Sequence, residues 1–142
     1  MGKLTARLQD ASRSGVYRAA RVDEIEDALR GTGLALARVS LAGVREKEAL
    51  LRTLALALEF PDWFGGNWDA LEDCLADLGW REAPGNVLVL ERFDALPPDD
   101  LGIFLDVLRA AAGSWAGRGR PFFAVFIDPG RAAALPDLFR ER

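Results

Sequence analysis

Two short runs decide the fold, NVLVLE at residues 86–91 and PFFAVFI at residues 121–127. Both runs are continuously apolar, rich in β-branched or aromatic residues, and bounded by Pro, Gly or Asp, which is typical of strands rather than helices. A strand without polar alternation is covered on both faces, as in the parallel sheets of α/β proteins. The two runs therefore predict neighbouring buried strands in a parallel sheet.

Strand and helix patterns alternate along the rest of the chain. The periodicity and the positions of Gly, Pro and capping residues predict strands at 15–19 and 34–41, and helices at 22–30, 45–58 and 67–79. They also predict a helix from about residue 98, whose apolar spacing runs to Ala112 and which the glycines near Gly117 end. This order indicates an α/β fold with a small, mostly parallel sheet of three to four strands, packed with helices. A chain of 142 residues, half of them hydrophobic, is expected to form a single domain.

The overall composition restricts the expected cellular compartment and the kinds of ligand that the chain can bind. With 18 basic and 22 acidic residues, the net charge of −4 argues against direct nucleic-acid binding. The apolar runs are far shorter than the roughly 20 residues needed to cross a bilayer, so no membrane association is expected. Cys74 is the single cysteine, and the first residues lack the apolar core of a secretion signal. We therefore expect a cytoplasmic protein.

The chain contains no histidine, which removes the commonest general base and the commonest metal ligand. It also contains no GxGxxG loop, no Walker-type loop and no CxxC pair. We therefore expect no catalytic residues, no cofactor and no metal, and the chain is predicted not to be an enzyme.

Negative charge is concentrated in residues 59–82. This segment contains seven acids against one base, Arg81, a net charge of −6, so the other 118 residues carry +2 of the chain's −4. A focused negative patch on a nearly neutral body attracts and orients a basic partner. The segment is therefore the best candidate for a recognition surface.

The helix predicted after Asn67 has one apolar and one acidic face. Its apolar stripe follows i, i+3, i+4 and i+7 and consists of Leu71, Cys74, Leu75 and Leu78. The opposite face has the same spacing and consists of Asp69, Glu72, Asp73 and Ala76. Like charges at i, i+4 destabilise a helix by about 0.2–0.5 kcal/mol, so a cationic partner would relieve a real repulsion.

The loop before this helix adds apolar groups beside the acids. Trp63 and Phe64 followed by Gly65 and Gly66 form an apolar rim that a partner can approach closely. Plainer interpretations stay open: exposed acids commonly serve solubility, and Trp63, Phe64 and Trp68 also suit a core beneath a loop. Asn67 is predicted to cap the helix.

The run FPDWFGGNWDALEDCLADL, residues 60–78, resembles the signature segment of barstar-like ribonuclease inhibitors. The resemblance extends more loosely from residue 34 to about 128, so residues 1–31 look like an N-terminal strand–helix addition and residues 129–142 like a short tail. It implies a small parallel sheet and a non-catalytic inhibitor, or immunity protein, whose carboxylates replace RNA phosphates in the active site of a basic ribonuclease.

The resemblance also implies which residues bind the partner, with Asp73 as the central acid and Asp69 as its neighbour one turn earlier. The partner-binding set is Trp63, Phe64, Gly65, Asn67, Trp68, Asp69, Glu72, Asp73, Ala76 and Asp77. Glu72 stands where the best-known member has an aromatic residue, Ala76 where it has a polar one, and Ala110 where it has an acid. The expected partner is a basic ribonuclease or another cationic toxin, bound one to one.

Two other functions fit the residues. The first is a protein–protein interaction or regulatory module that docks on a basic partner other than a nuclease. The second is a carboxylate-dependent hydrolase that uses Asp69 and Asp73 as an acid and base pair or as magnesium ligands. Two acids at i, i+4 with no third ligand make a weak site of this kind.

Overall fold

A four-stranded parallel sheet lies at the centre of the computed structural model, which describes residues 2–139. The strands are β1 (Gly15–Ala19), β2 (Ala35–Ser40), β3 (Asn86–Glu91) and β4 (Phe122–Ile127). They lie in the order β1-β4-β3-β2, and all three pairings are parallel. The predicted α/β fold with a small parallel sheet is confirmed, and the two apolar runs form its central strands.

Within residues 2–139, five helices surround the sheet, together with 3₁₀ turns at Ala11–Arg13 and Gly79–Arg81. The helices are α1 (Lys3–Leu8), α2 (Asp23–Leu29), α3 (Lys47–Ala57), α4 (Trp68–Asp77) and α5 (Pro98–Gly117). No helix within residues 2–139 is long and apolar enough to cross a membrane. The sequence failed to predict α1, whose six residues are too few for a periodic pattern and bury only Leu8.

Of two predicted helix ends, one was correct and one was wrong. α5 ends at Gly117, where the glycines predicted its end, and burial of Trp115 against the core offsets the helix cost of Gly113. α4 does not end at Gly79: Leu78 already has a left-handed backbone, with φ at +46°. Non-glycine residues seldom adopt this conformation, which explains why the glycine seemed the natural end.

The two faces of the sheet are covered by different parts of the chain. On one face, α3, α4 and α5 share a core with side chains such as Leu88, Leu90 and Phe126. On the other face, α1 and α2 pack on the alternate side chains, among them Val89 and Phe123. The central strands have no polar alternation because both of their faces are buried.

The C-terminal segment covers the outer edge of β1. The predicted tail, residues 129–142, is described only to Phe139, and residues 1 and 140–142 lie outside the described residues. The Leu138 amide donates to the Arg18 carbonyl, and the Arg18 amide donates to the Pro136 carbonyl, both at 2.8 Å. With Leu135 and Leu138 buried, this segment is part of the core.

Candidate functional site

The start of α4 is built by its cap. Asn67 is extended, and its side-chain Oδ1 accepts a hydrogen bond of 2.8 Å from the Ala70 amide. Gly66 before it has φ at +71°, a conformation that glycine adopts without strain. The predicted cap is confirmed. It places Asp69 in the first turn, where the helix dipole favours a negative charge.

The two predicted faces of α4 are present. The stripe of Leu71, Cys74, Leu75 and Leu78 is buried against α5 and the core, with at most 3% of any of these residues exposed. The acids of the opposite face, which we call the acidic face, are all exposed: Asp69, Glu72, Asp73 and Asp77. Ala76 is only half-buried, at the border of this face. The helix therefore keeps its acids in solvent while its stripe is fixed in the core.

The acidic face is not neutralised by any cation that the structure describes. Within residues 2–139, no Arg or Lys nitrogen lies within 4.0 Å of its four carboxylates, and the ion pairs of this part of the chain lie elsewhere. Asp77 accepts one hydrogen bond, from the Gly79 amide at 3.2 Å. The like-charge repulsion along the helix is therefore unrelieved.

Cys74 lies directly behind the acidic face. Its burial, together with the negative charges of Asp73 and Asp77, raises the pKa of the thiol from 9.0 to about 11. The thiol is therefore protonated and unreactive at neutral pH, as expected of a core cysteine.

The loop before α4 rests on an aromatic cluster. Phe60 and Phe64 make an edge contact at 4.9 Å, and Trp63 makes another with Trp80 at 6.3 Å. Trp80 also donates from Nε1 to the Leu58 carbonyl at 2.9 Å, which ties the 3₁₀ turn after α4 to the end of α3. The sequence analysis missed Trp80, because no local pattern links it to a loop 17 residues earlier.

The predicted rim residues differ in exposure. Trp63 is 58% exposed and faces solvent, whereas Phe64 and Trp68 pack partly into the core. Gly65 is exposed beside Asn67. On α5, Ala110 is exposed next to Arg109, which is 3.4 Å from Asp106. The structure thus brings all ten predicted site residues onto α4 and its preceding loop, with Trp63 as the most exposed aromatic group.

Within residues 2–139, no group of three or more His, Cys, Asp or Glu side chains is arranged to hold a metal ion. The carboxylates of the acidic face follow one another along the helix instead of converging on one point. Their arrangement suits contact with a separate cationic surface.

Fold and site together define a small parallel α/β protein with an acidic helix face that no described cation neutralises and, in the loop before that helix, an exposed tryptophan. The Barstar (barnase inhibitor) family matches residues 34–127, and the chain belongs to this family. The resemblance stated from residues 60–78 is therefore confirmed. The matched segment contains β2, β3, β4, the helices between them and the whole acidic face, whereas α1, β1 and α2 precede it.

Other comparisons inform only the fold. No curated protein matches the chain. Among solved structures, it is similar to the ORC2 protein of Aeropyrum pernix in its ADPNP-ADP complexes, with 16% identity and a TM-score of 0.51. The similarity covers 88% of this chain and 35% of that one, so the chain spans about a third of that protein. The present sequence has no Walker-type glycine loop with which to hold nucleotide phosphates.

Proposed function

We propose that this protein is a non-catalytic inhibitor that binds one to one to a basic ribonuclease and occupies its active site with the acidic face of α4. The observation that carries the proposal is the set of four exposed carboxylates without a cationic partner in residues 2–139. Membership in a family described as barnase inhibitors supports the same function.

The proposed mechanism is occupation of a phosphate site by carboxylates. A ribonuclease binds RNA phosphates with Arg and Lys side chains, and ionised carboxylates form strong, charge-assisted hydrogen bonds with the same groups. Asp73 lies at the centre of the acidic face, one turn after Asp69 and one turn before Asp77. In this mechanism Asp73 enters the phosphate pocket, while Asp69 and Asp77 pair with cations around it.

The neighbouring groups would determine which nuclease fits. Glu72 adds a further carboxylate beside Asp73, so we expect the partner to present an additional cation at this point. Half-buried Ala76 leaves room for a bulky partner side chain. The exposed ring of Trp63 offers an apolar anchor at the edge of the acids, a combination common in protein–protein hot spots.

The direct test is to titrate the purified chain into barnase while RNA hydrolysis is measured. We expect inhibition that is complete at one equivalent and competitive with RNA, since the chain occupies the phosphate site. Because opposed charges steer the association, its rate should fall about tenfold or more between low salt and 0.5 M salt. A panel of other basic bacterial ribonucleases extends the test beyond barnase.

The outcomes separate the candidate functions. Absence of both binding and inhibition across the panel would reject the proposal. Binding that leaves RNA hydrolysis unchanged would favour the alternative of a regulatory module that docks on a basic protein. RNA hydrolysis by the chain alone would instead revive the carboxylate-dependent hydrolase.

A further inference from the structure

The last turn of α4 is held from α5. Because α4 ends at Asp77, its final carbonyls have no partner within the helix. Trp115 donates from Nε1 to the Leu75 carbonyl in a buried hydrogen bond of 2.8 Å, and Arg118 donates from Nη2 to the Ala76 carbonyl. Two successive orphan carbonyls are thus satisfied by side chains of, or just beyond, another helix.

The guanidinium of Arg118 is fixed by neutral groups. Its central carbon lies 4.4 Å from the centroid of the Trp115 ring, and its Nε donates to the Ser114 carbonyl at 3.3 Å. A cation at the C-terminal end of α4 also interacts favourably with the helix dipole. Trp115 and Arg118 therefore act as a single clamp on this turn.

The clamp leaves the acids free. Arg118 and Arg120 line a cleft of about 400 Å³ together with Asp77 and Glu82. Even so, no nitrogen of Arg118 or Arg120 lies within 4.0 Å of either carboxylate. All ion pairs within residues 2–139 involve other residues. The guanidinium of Arg118 thus contacts two carbonyls and the Trp115 ring, and the carboxylate of Asp77 stays available to a partner.

The turn needs this support. Asp69, Asp73 and Asp77 repel one another at intervals of four residues, and the strained Leu78 backbone follows directly. We infer that Trp115 and Arg118 are positioning residues that hold the end of α4 and thereby preorganise its acidic face for binding. The expected effect of this clamp on partner binding rests on the proposed function. Its expected effect on the stability of the end of α4 in the free protein does not.

The first experiment measures amide hydrogen exchange in the free protein. Arg118→Met removes one donor of the clamp, and Trp115→Phe removes the other while keeping an aromatic ring beneath the guanidinium. Arg120→Met is the matched control, since it removes a cation of the same cleft whose side chain donates no hydrogen bond within residues 2–139, while the backbone bond from its amide to the Trp115 carbonyl is kept. We expect exchange of the Leu75–Leu78 amides to accelerate about two- to tenfold in the two clamp variants and to stay unchanged in the control. Unchanged exchange in Arg118→Met would overturn the inference.

The second experiment measures the affinity of the same variants for barnase. Charge alone predicts that removing a cation beside an acidic face strengthens binding to a basic partner, and we expect this slight gain for Arg120→Met. The positioning role predicts the opposite for Arg118→Met, a loss of about two- to tenfold, because the binding face is no longer preorganised.

The two experiments keep the two proposals apart. If the unmodified chain does not bind barnase or another basic ribonuclease, the proposed function fails, while hydrogen exchange still decides whether the clamp holds α4. If it does bind, and Arg118→Met binds as tightly as Arg120→Met, the positioning role is overturned and the proposed function stands.

Discussion

Two clusters of charged residues in this molecule differ in both burial and ion pairing. The acidic face of α4 is exposed and has no cationic partner among residues 2–139. The other cluster, which we call the Arg18 site, consists of Arg18, Asp128 and Asp137 at the edge of the sheet formed by β1 and is almost completely buried. Arg18 there is 7% exposed.

Every charge of the Arg18 site has partners within the chain. Arg18 donates from Nε and Nη2 to the Asp128 carbonyl, at 2.9 and 2.7 Å, and from Nη1 to the Asp137 carboxylate. Asp137 is also 3.2 Å from Arg131. The Asp128 carboxylate accepts from the amides of Ala132 and Ala133, both at 2.9 Å. These bonds fasten the C-terminal segment to β1.

The difference separates charges that hold the fold from charges available to a partner. Burying an ion costs several kcal/mol unless its hydrogen bonds are satisfied, so the Arg18 site has to be complete within the chain. The acidic face stays hydrated and pays only the smaller cost of mutual repulsion. That cost would be recovered when a cationic surface binds, which is why the unmatched cluster is the better candidate site.

The largest expected effect comes from breaking the matched cluster. Arg18→Met removes both hydrogen bonds to the buried Asp128 carbonyl and one of the cations beside the Asp137 carboxylate, and should lower the free energy of unfolding by about 3–5 kcal/mol. Urea denaturation monitored by tryptophan fluorescence measures this. Arg21→Met is the control, because Arg21 is exposed and its ion pairs with Asp23 and Glu24 should contribute less than about 1 kcal/mol. Similar losses in both variants would contradict the distinction between the clusters.

The acidic face should show the opposite response. Asp73→Ala should weaken binding to a basic ribonuclease by about 2–5 kcal/mol, because it leaves the partner's buried cations unpaired. The fold should not be weakened: the free energy of unfolding should stay the same or rise by up to about 1 kcal/mol, because the repulsion with Asp69 and Asp77 is also removed. Asp94→Ala removes another exposed acid, outside the acidic face, and serves as the control in calorimetry. A binding loss below about half a kcal/mol would remove Asp73 from the centre of the interface.

The pKa of Cys74 reports on the boundary between the acidic face and the core, since both burial and the neighbouring acids raise it. Its raised pKa means that the unfolded chain loses the thiol proton near pH 9, whereas the folded protein keeps it to about pH 11. The free energy of unfolding should therefore fall between these pH values, by about 2 kcal/mol more in the natural chain than in Cys74→Ala. Parallel pH profiles of the two proteins in urea denaturation would show that the thiol is not perturbed.

The smallest expected effect is a gain in stability. Asp73→Asn removes the repulsion with Asp69 and with Asp77 while keeping the side-chain shape, and should raise the free energy of unfolding by about 0.2–0.5 kcal/mol for each pair. The same change should lower the pKa of Cys74, since Asp73 helps to raise it. Asp94→Asn is again the control. A loss of stability would mean that Asp73 makes a favourable contact within the protein.

The sequence alone predicted the features that depend on neighbours along the chain. The bounds of β1 and β3 were correct, because continuous or alternating apolar residues between turn formers indicate a strand directly. The division of α4 into a buried stripe and an acidic face was also correct, since it follows from 3.6 residues per turn. The role of the acids in binding a partner stays a prediction.

Tertiary structure alone decided what depends on distant residues. Arg18 and Asp137 are separated by 119 positions, and nothing local marks either as half of a buried pair. The hydrogen bond from Trp115 to the Leu75 carbonyl likewise joins residues 40 positions apart. The freedom of the acids from every cation described by the structure is also a property of the fold. Local periodicity can be recognised in the sequence because the helix and the strand each have a fixed repeat. The pairing of distant side chains, by contrast, exists only after the chain has packed.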